Sequence, residues 1–266
     1  MKAARTLVAI AISGWLLAAD ARASSVSTFP SDAAGAPVTR ATALLNVTTL
    51  EALVAACEAG DTEAMNSLGV LYSMGTQVPR DYPAALFLFQ TAIDGGSSNA
   101  MGNLATMYLL GLGVPRDPAN AFRWFERSAA HGNAQSAYSA AVMADEGVGT
   151  PRDPRLARTL YRRAAEAGSI VAMVKLSEHS GRSTDKRELI DAYAWLLVAA
   201  QSVVPAELQM LVLARTDKVA ALIPADRRDD ARALATRRLA SLRMQSVAGQ
   251  AASAAPTMPT AQEAHR

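Results

Sequence analysis

Residues 100–132 read AMGNLATMYLLGLGVPRDPANAFRWFERSAAHG, and the pattern recurs on either side at a spacing of 36 residues. Val114-Pro115-Arg116-Asp117 has counterparts in Val78-Pro79-Arg80-Asp81 and Thr150-Pro151-Arg152-Asp153. The same shift relates Ala64, Ala100 and Ser136, then Gly75, Gly111 and Gly147, then Ala85, Ala121 and Ala157. It also relates Phe89, Phe125 and Tyr161, and Gly96, Gly132 and Gly168. A fixed period of this size is the mark of stacked supersecondary units. In the quoted copy, Ala100, Leu104, Ala105 and Tyr108 form one apolar stripe, which predicts a helix from about Ala100 to Leu110. It stops at Gly111, where Gly111-Leu112-Gly113 lets the chain turn back. Asp117 before Pro118 is an N-cap acceptor followed by a residue pre-set for the first helical position. Asp153-Pro154 repeats that signal, and Asp81-Tyr82-Pro83 is a near variant. A second helix carries Ala121, Trp124, Phe125 and Ser128 on one side and ends at Gly132. Neither helix can bury its stripe alone, so neighbouring units must stack.

The repeats are set at about 64–99, 100–135 and 136–171. Before them, Leu50 to Gly60 reads as a lone second-type helix that Thr48 or Thr49 can cap. After them comes a degenerate unit, 172–200, without the Gly-x-Gly turn; Ala192 and Trp195 stand in it as Ala121 and Trp124 do. Helices near Ala206–Leu222 and Ala225–Arg243 make a closing segment, 201–244. Residues 24–47 are expected to be a disordered linker, and the Ala-, Ser-, Thr-, Pro- and Gln-rich stretch 245–266 a disordered tail. Residues 1–23 have the build of a cleaved secretory signal: Lys2 and Arg5, an apolar run from Leu7 to Ala19, and small residues at Ala21 and Ala23. The expected location is the periplasm, with secretion from the cell as the alternative. Without that segment the chain keeps 23 bases and 23 acids. A nucleic-acid partner thereby loses its compositional support. The single Cys57 excludes an internal disulfide framework, and its place on an apolar helix face reads as a small buried hydrophobe.

These residues resemble the Sel1-like repeat family, whose units run Ala-x-x-x-Leu-Gly-x-x-Tyr-x-x-Gly-x-Gly-Val, then Asp, then Ala-x-x-Trp-Tyr-x-x-Ala-Ala-x-x-Gly. Leu68-Gly69, Tyr72, Gly75 and Val78 fit, as do Leu104, Tyr108, Gly111, Gly113, Val114, Asp117, Ala121, Trp124 and Gly132. The likeness covers roughly residues 48–200. Gln77, Ala144 and Leu160 depart from it, at the second turn Gly, the Tyr and the Trp. The resemblance implies an all-α, right-handed superhelical solenoid of tetratricopeptide-like helix pairs, with the first helix of each pair on the concave face. It further implies an adaptor in the bacterial envelope. The partner would be another protein.

Chemistry is sparse by comparison. His131, His179 and His265 have no metal-ligand spacing to one another or to Cys57. His179 beside Glu178 is the one acid–base-like pair, and it falls in what reads as a polar loop without a nucleophile motif. The Gly-x-Gly turns follow helices rather than strands and lack a phosphate-gripping Lys-Ser/Thr. No catalytic residue, metal or cofactor is expected, and a cell-wall enzyme is the reading least supported. Arg155, Arg158 and Arg162 form a stripe that reads as a solvated face. Charge is uneven: residues 24–100 hold 2 bases and 7 acids, residues 214–243 hold 8 bases and 4 acids. A basic terminal patch of Arg227, Arg228, Arg237 and Arg238 is expected to meet an acidic partner, an anionic envelope surface or a membrane-protein domain. On the concave face, Asn66, Val70, Asn103, Thr106, Tyr138 and Val142 point away from the stripe inside each pair and are the expected protein contacts. The function implied is a non-enzymatic interaction scaffold or regulator in the periplasm. The alternatives are a structural part of a secretion or polysaccharide-export assembly and a secreted host-interaction factor.

Overall fold

The computed structural model describes residues 47–180, 185–202 and 206–254. The expected signal and most of the expected linker lie outside them, as does the end of the expected tail. Among the described residues are eleven α-helices and no strand, which is the all-α class expected. They fall into two compact units, one ending at His131 and one beginning at Gly132.

The first unit contains α1 (Val47–Ala59), α2 (Thr62–Met74), α3 (Tyr82–Asp94), α4 (Ser98–Leu110) and α5 (Pro118–Ala130). Helices α2 and α3 pair, as do α4 and α5. The VPRD tetrapeptide explains how. Arg116 donates from Nε to the Leu109 carbonyl at 3.1 Å, covering an end group that the helix leaves bare. The Asp117 backbone N–H donates to the Tyr108 carbonyl at 2.8 Å, and the Asp117 carbonyl receives the Ala121 N–H at 3.0 Å. Its carboxylate accepts the Asn120 N–H at 2.9 Å. Asp81 does the same for α3, accepting from Ala84 and donating to the Tyr72 carbonyl. Gly111 closes α4 with φ 74°, a left-handed value that a side chain would resist.

First helices start two or three residues earlier than their apolar stripes suggest. Asp61 and Ser97 cap α2 and α4, each following a glycine. Thr48 and Thr49 fall inside α1 rather than before it. The core joins Cys57, Leu68, Leu71, Phe89, Leu104 and Met107. Gly69 sets the approach of α2 to α3: a Cβ there would stand 2.7 Å from Phe89 Cε1, and Phe89 is itself buried.

The second unit contains α6 (Ala134–Glu146), α7 (Pro154–Glu166), α8 (Ile170–Ser180), α9 (Lys186–Ala200), α10 (Ala206–Ala220), a 3-10 turn (Ala225–Arg227) and α11 (Arg228–Ala254). Asn133 and Asp153 cap α6 and α7, and the Asp153 N–H again reaches back, to the Ala144 carbonyl at 2.8 Å. Helix α9 packs against α8, α10 and α11. Enclosure on three sides requires apolar residues along the helix beyond its charged first turns, and Leu189, Ala192, Tyr193, Trp195, Leu196 and Val198 are all buried. Trp195 is 1% exposed, whereas Trp124, its counterpart in the register, is half-buried under the Arg127 guanidinium. The difference is the covering helix α11. That helix runs to Ala254, into the stretch whose composition reads as aperiodic; its Ala- and Gln-rich sequence has high helix propensity.

Removing a capping carboxylate leaves helix N–H groups unsatisfied. Asp81→Ala, Asp117→Ala and Asp153→Ala are each expected to lower stability by about 1 kcal/mol. The three losses should add in urea denaturation, because the sites share no partner.

Candidate functional site

The expected concave residues of the first unit come together on α2 and α4, which lie side by side. Asn103 Nδ2 donates to Asn66 Oδ1 at 2.7 Å, tying the helices across the gap. Asn66 is buried by that bond, while Val70, Asn103 and Thr106 stay half-buried. Thr106 Oγ1 donates to the Gly102 carbonyl of its own helix. One turn nearer the helix starts, Glu63 accepts from Ser97 Oγ at 2.7 Å and Asn99 Nδ2 at 2.9 Å. The row is therefore a polar ladder. Sequence reading found Asn66 and Asn103 but not Glu63, whose signal is its place just inside the capped start of α2.

In the second unit, Tyr138 and Val142 are half-buried on α6. The Tyr138 ring stands 5.7 Å from Tyr161, which stands 5.5 Å from His179. His179 lies in α8 rather than in a loop, and its Nε2 is 3.2 Å from Asp145 Oδ2. Its sequence neighbour Glu178 instead binds Lys175 at 2.9 Å and Arg215 at 2.7 Å. Burial, then the nearby Asp145, raises the Tyr161 phenol well above its ordinary value. Lys175 is held above its ordinary value by its hydrogen bond to Glu178. Neighbouring residues in sequence thus serve different partners, because helical geometry points them about 100° apart. His131 sits exposed at the end of α5. His265 lies outside the described residues.

The four arginines of the expected basic patch are divided among different tasks. Arg227 pairs with Asp230 at 3.1 Å, and Arg228 Nε donates to the Ile223 carbonyl at 3.3 Å. Arg237 is exposed. Arg238 turns inward: it bonds the Asp191 carboxylate and, at 3.1 Å, the Asp191 carbonyl, and its guanidinium lies 4.0 Å from the centre of the Trp195 ring. The Arg155–Arg158–Arg162 stripe is only partly a solvated face. Arg158 pairs with Glu188, and Arg162 meets Asp191 Oδ2 at 3.0 Å. Those acids sit on α9, and nothing in the α7 sequence alone signals them.

With this geometry in view, three consecutive matches to the Sel1 repeat model cover residues 62–97, 98–133 and 134–169. Each match opens on the first residue of a first helix, one residue after the cap. No curated protein matches the chain by sequence. Among solved structures, a protective antigen present in uropathogenic Escherichia coli strains and displaying an SLR fold superposes with a TM-score of 0.58. It is 21% identical, over 80% of this chain and 45% of the antigen, so the chain spans less than half of that protein's length. A Sel1 repeat protein from Oxalobacter formigenes gives a TM-score of 0.53 at 20% identity, over 66% of this chain and 79% of that one. At these identities the likeness is one of fold.

Cys57 is buried among Leu53, Val54 and the α2 core. Burial, then Asp61 and Glu58, pushes its thiol up to about 12 from 9.0. The folded state thus holds the proton more tightly than the unfolded one. The stability this gives is complete below pH 9.0 and is lost as pH rises through about 12. At pH 8 the native thiol should resist alkylation, and unfolding in denaturant should expose it to rapid labelling.

Proposed function

Residues 62–169 are three Sel1 repeats, and from that premise we propose that the chain is a protein-binding scaffold of the bacterial cell envelope, exported by the segment 1–23 and working in the periplasm. Sel1 repeat domains typically bind other proteins and are generally non-catalytic scaffolds. One observation carries the reading. Asn66, Gly102 and Tyr138 occupy the same register position in three successive first helices, and their chemistry changes from copy to copy. The second-helix caps Asp81, Asp117 and Asp153, the turn glycines Gly75, Gly111 and Gly147, and the aromatic positions Phe89, Phe125 and Tyr161 keep theirs. Packing demands the framework residues and leaves this position free, which suits a surface shaped for a partner. The polar ladder of Glu63, Asn66 and Asn103 adds hydrogen-bonding groups beside it. Arg238 is withdrawn from the expected basic patch by its bonds to Asp191, so the reading places the main contact on α2 and α4 of the first unit.

Photo-crosslinking residues placed at Asn103 and Thr106 in living cells should trap one or a few specific proteins. The exposed second-helix positions Gln90 and Arg123 should trap none of them. Capture from Gln90 and Arg123 alone would move the contact to the other face. The trapped protein should fractionate with the periplasm, bound to a chain that begins near Ser24; an intact Met1 on a cytoplasmic chain would refute export.

A further inference from the structure

Two adjoining clefts in the second unit share Arg238. The first, a shallow depression of about 420 Å³, is lined by Arg162, Arg187, Glu188, Asp191 and Arg238. Arg158 adjoins it through Glu188. Four guanidinium groups here face two carboxylates, a surplus of two positive charges. Asp191 is shared between Arg162 and Arg238, so neither guanidinium has a whole carboxylate to itself. Arg162 is 46% exposed at its side chain, Arg187 is exposed, and Arg187 has no ion pair among the described residues. The second cleft, about 300 Å³, is lined by Glu166, Trp195, Arg238, Ser241, Leu242 and Gln245. Its groups are of another kind: one carboxylate acceptor, a hydroxyl, an amide and an apolar side chain. The Trp195 indole N–H is buried with no acceptor among the described residues, an arrangement that natural structures rarely leave standing.

We propose that these clefts form one recognition site for an acidic peptide segment of a partner protein, with an Asp or Glu side chain seated among Arg162, Arg187 and Arg238. The inference rests on the reading of the chain as a protein-binding scaffold, and it adds a second contact, away from α2 and α4. Guanidinium forks match carboxylates in shape as well as charge. Arg238 is pre-organised for this: its side chain is 17% exposed, flattened on Trp195 and tied to Asp191, so little freedom remains to be lost on binding. The two resident carboxylates limit the site to about two further acidic groups. Glu166, in the adjoining cleft, would repel a second phosphate of a nucleic acid or a sheet of anionic lipid. It suits a peptide instead, since a backbone N–H can donate to it while Ser241 and Gln245 serve the neighbouring amide and Leu242 an apolar side chain.

The test uses the full chain and a fluorescent peptide of alternating Asp and Ala, blocked at both ends, read by anisotropy in low salt. An otherwise identical peptide of Asn and Ala is the first comparison. The Asp peptide should bind about tenfold more tightly. The double variant Arg162→Ala/Arg187→Ala should lose about tenfold for the Asp peptide only, and Arg162→Lys/Arg187→Lys should recover part of it. Arg123→Ala/Arg232→Ala, at exposed arginines outside both clefts, should bind as the unaltered chain does. If the double alanine variant melts early, Arg187→Ala alone keeps the test open, because it removes no internal pair among the described residues. Equal binding of the two peptides, or equal losses in the Arg123/Arg232 control, overturns the proposal. So does tighter binding of single-stranded DNA or of phosphatidylglycerol vesicles that displaces the peptide. The crosslinks from Asn103 and Thr106 are read separately, so failure here leaves the scaffold reading standing, and the converse also holds.

Discussion

Each turn between paired helices hangs on one aspartate. Asp81, Asp117 and Asp153 use the backbone N–H, the backbone carbonyl and the carboxylate at once: the first reaches back to the preceding helix, and the other two begin the next. The chain therefore cannot vary the distance between the helices of a pair without breaking one of these bonds. The preceding arginine fixes the other side of the turn by covering carbonyls at the end of the first helix, from Arg80 to Met74, Arg116 to Leu109 and Arg152 to Asp145. With the turn set, the small residues at the pair interface fall opposite the aromatic ones, as Gly69 does opposite Phe89. Side-chain packing then follows from a backbone geometry that hydrogen bonds have already chosen.

Most of this is legible in the sequence, because the turn writes itself there as Pro-Arg-Asp at a constant interval. The second-helix starts were clear because Asp followed by Pro has few other uses. The first-helix starts were set a little late. Asp61, Ser97 and Asn133 differ from one another, no proline follows them, and the apolar stripe begins only beyond them. A cap recognised by role rather than by identity, a small polar residue after each glycine, would have recovered all three. Other gaps have a different cause. His179 binds Asp145 and Arg238 binds Asp191, pairs separated by tens of residues, each with at least one partner beyond the regular repeats. There no period predicts what lies opposite what. Asn66 is a different case: it lies in the regular repeats, and it is buried because Asn103 on the neighbouring first helix bonds it.

The second unit replaces repetition with enclosure. Past α8 the pairing rule lapses, and α9 is instead wrapped by α8, α10 and α11. An interior helix needs apolar residues on nearly every side, which is why its tryptophan is buried where Trp124 is only half covered. The charged groups on its rim are neutralised from α7 and α11, so Glu188 and Asp191 act as fasteners between helices. Half-buried ion pairs of this sort contribute modestly each, but sharing Asp191 between two guanidinium groups holds both with one carboxylate. The price of closure is a surface on which the arginines outnumber the acids.

Every turn satisfies its own backbone groups within the repeat, so each copy carries its turn complete. A gene can gain or lose a whole 36-residue copy and leave every remaining turn intact, whereas gaining a single residue would misplace a cap, a turn glycine and an aromatic together. Length in such a chain is free to drift in steps of one unit. The number of copies is therefore a quantity that selection can set by reach alone, independently of how well the protein folds.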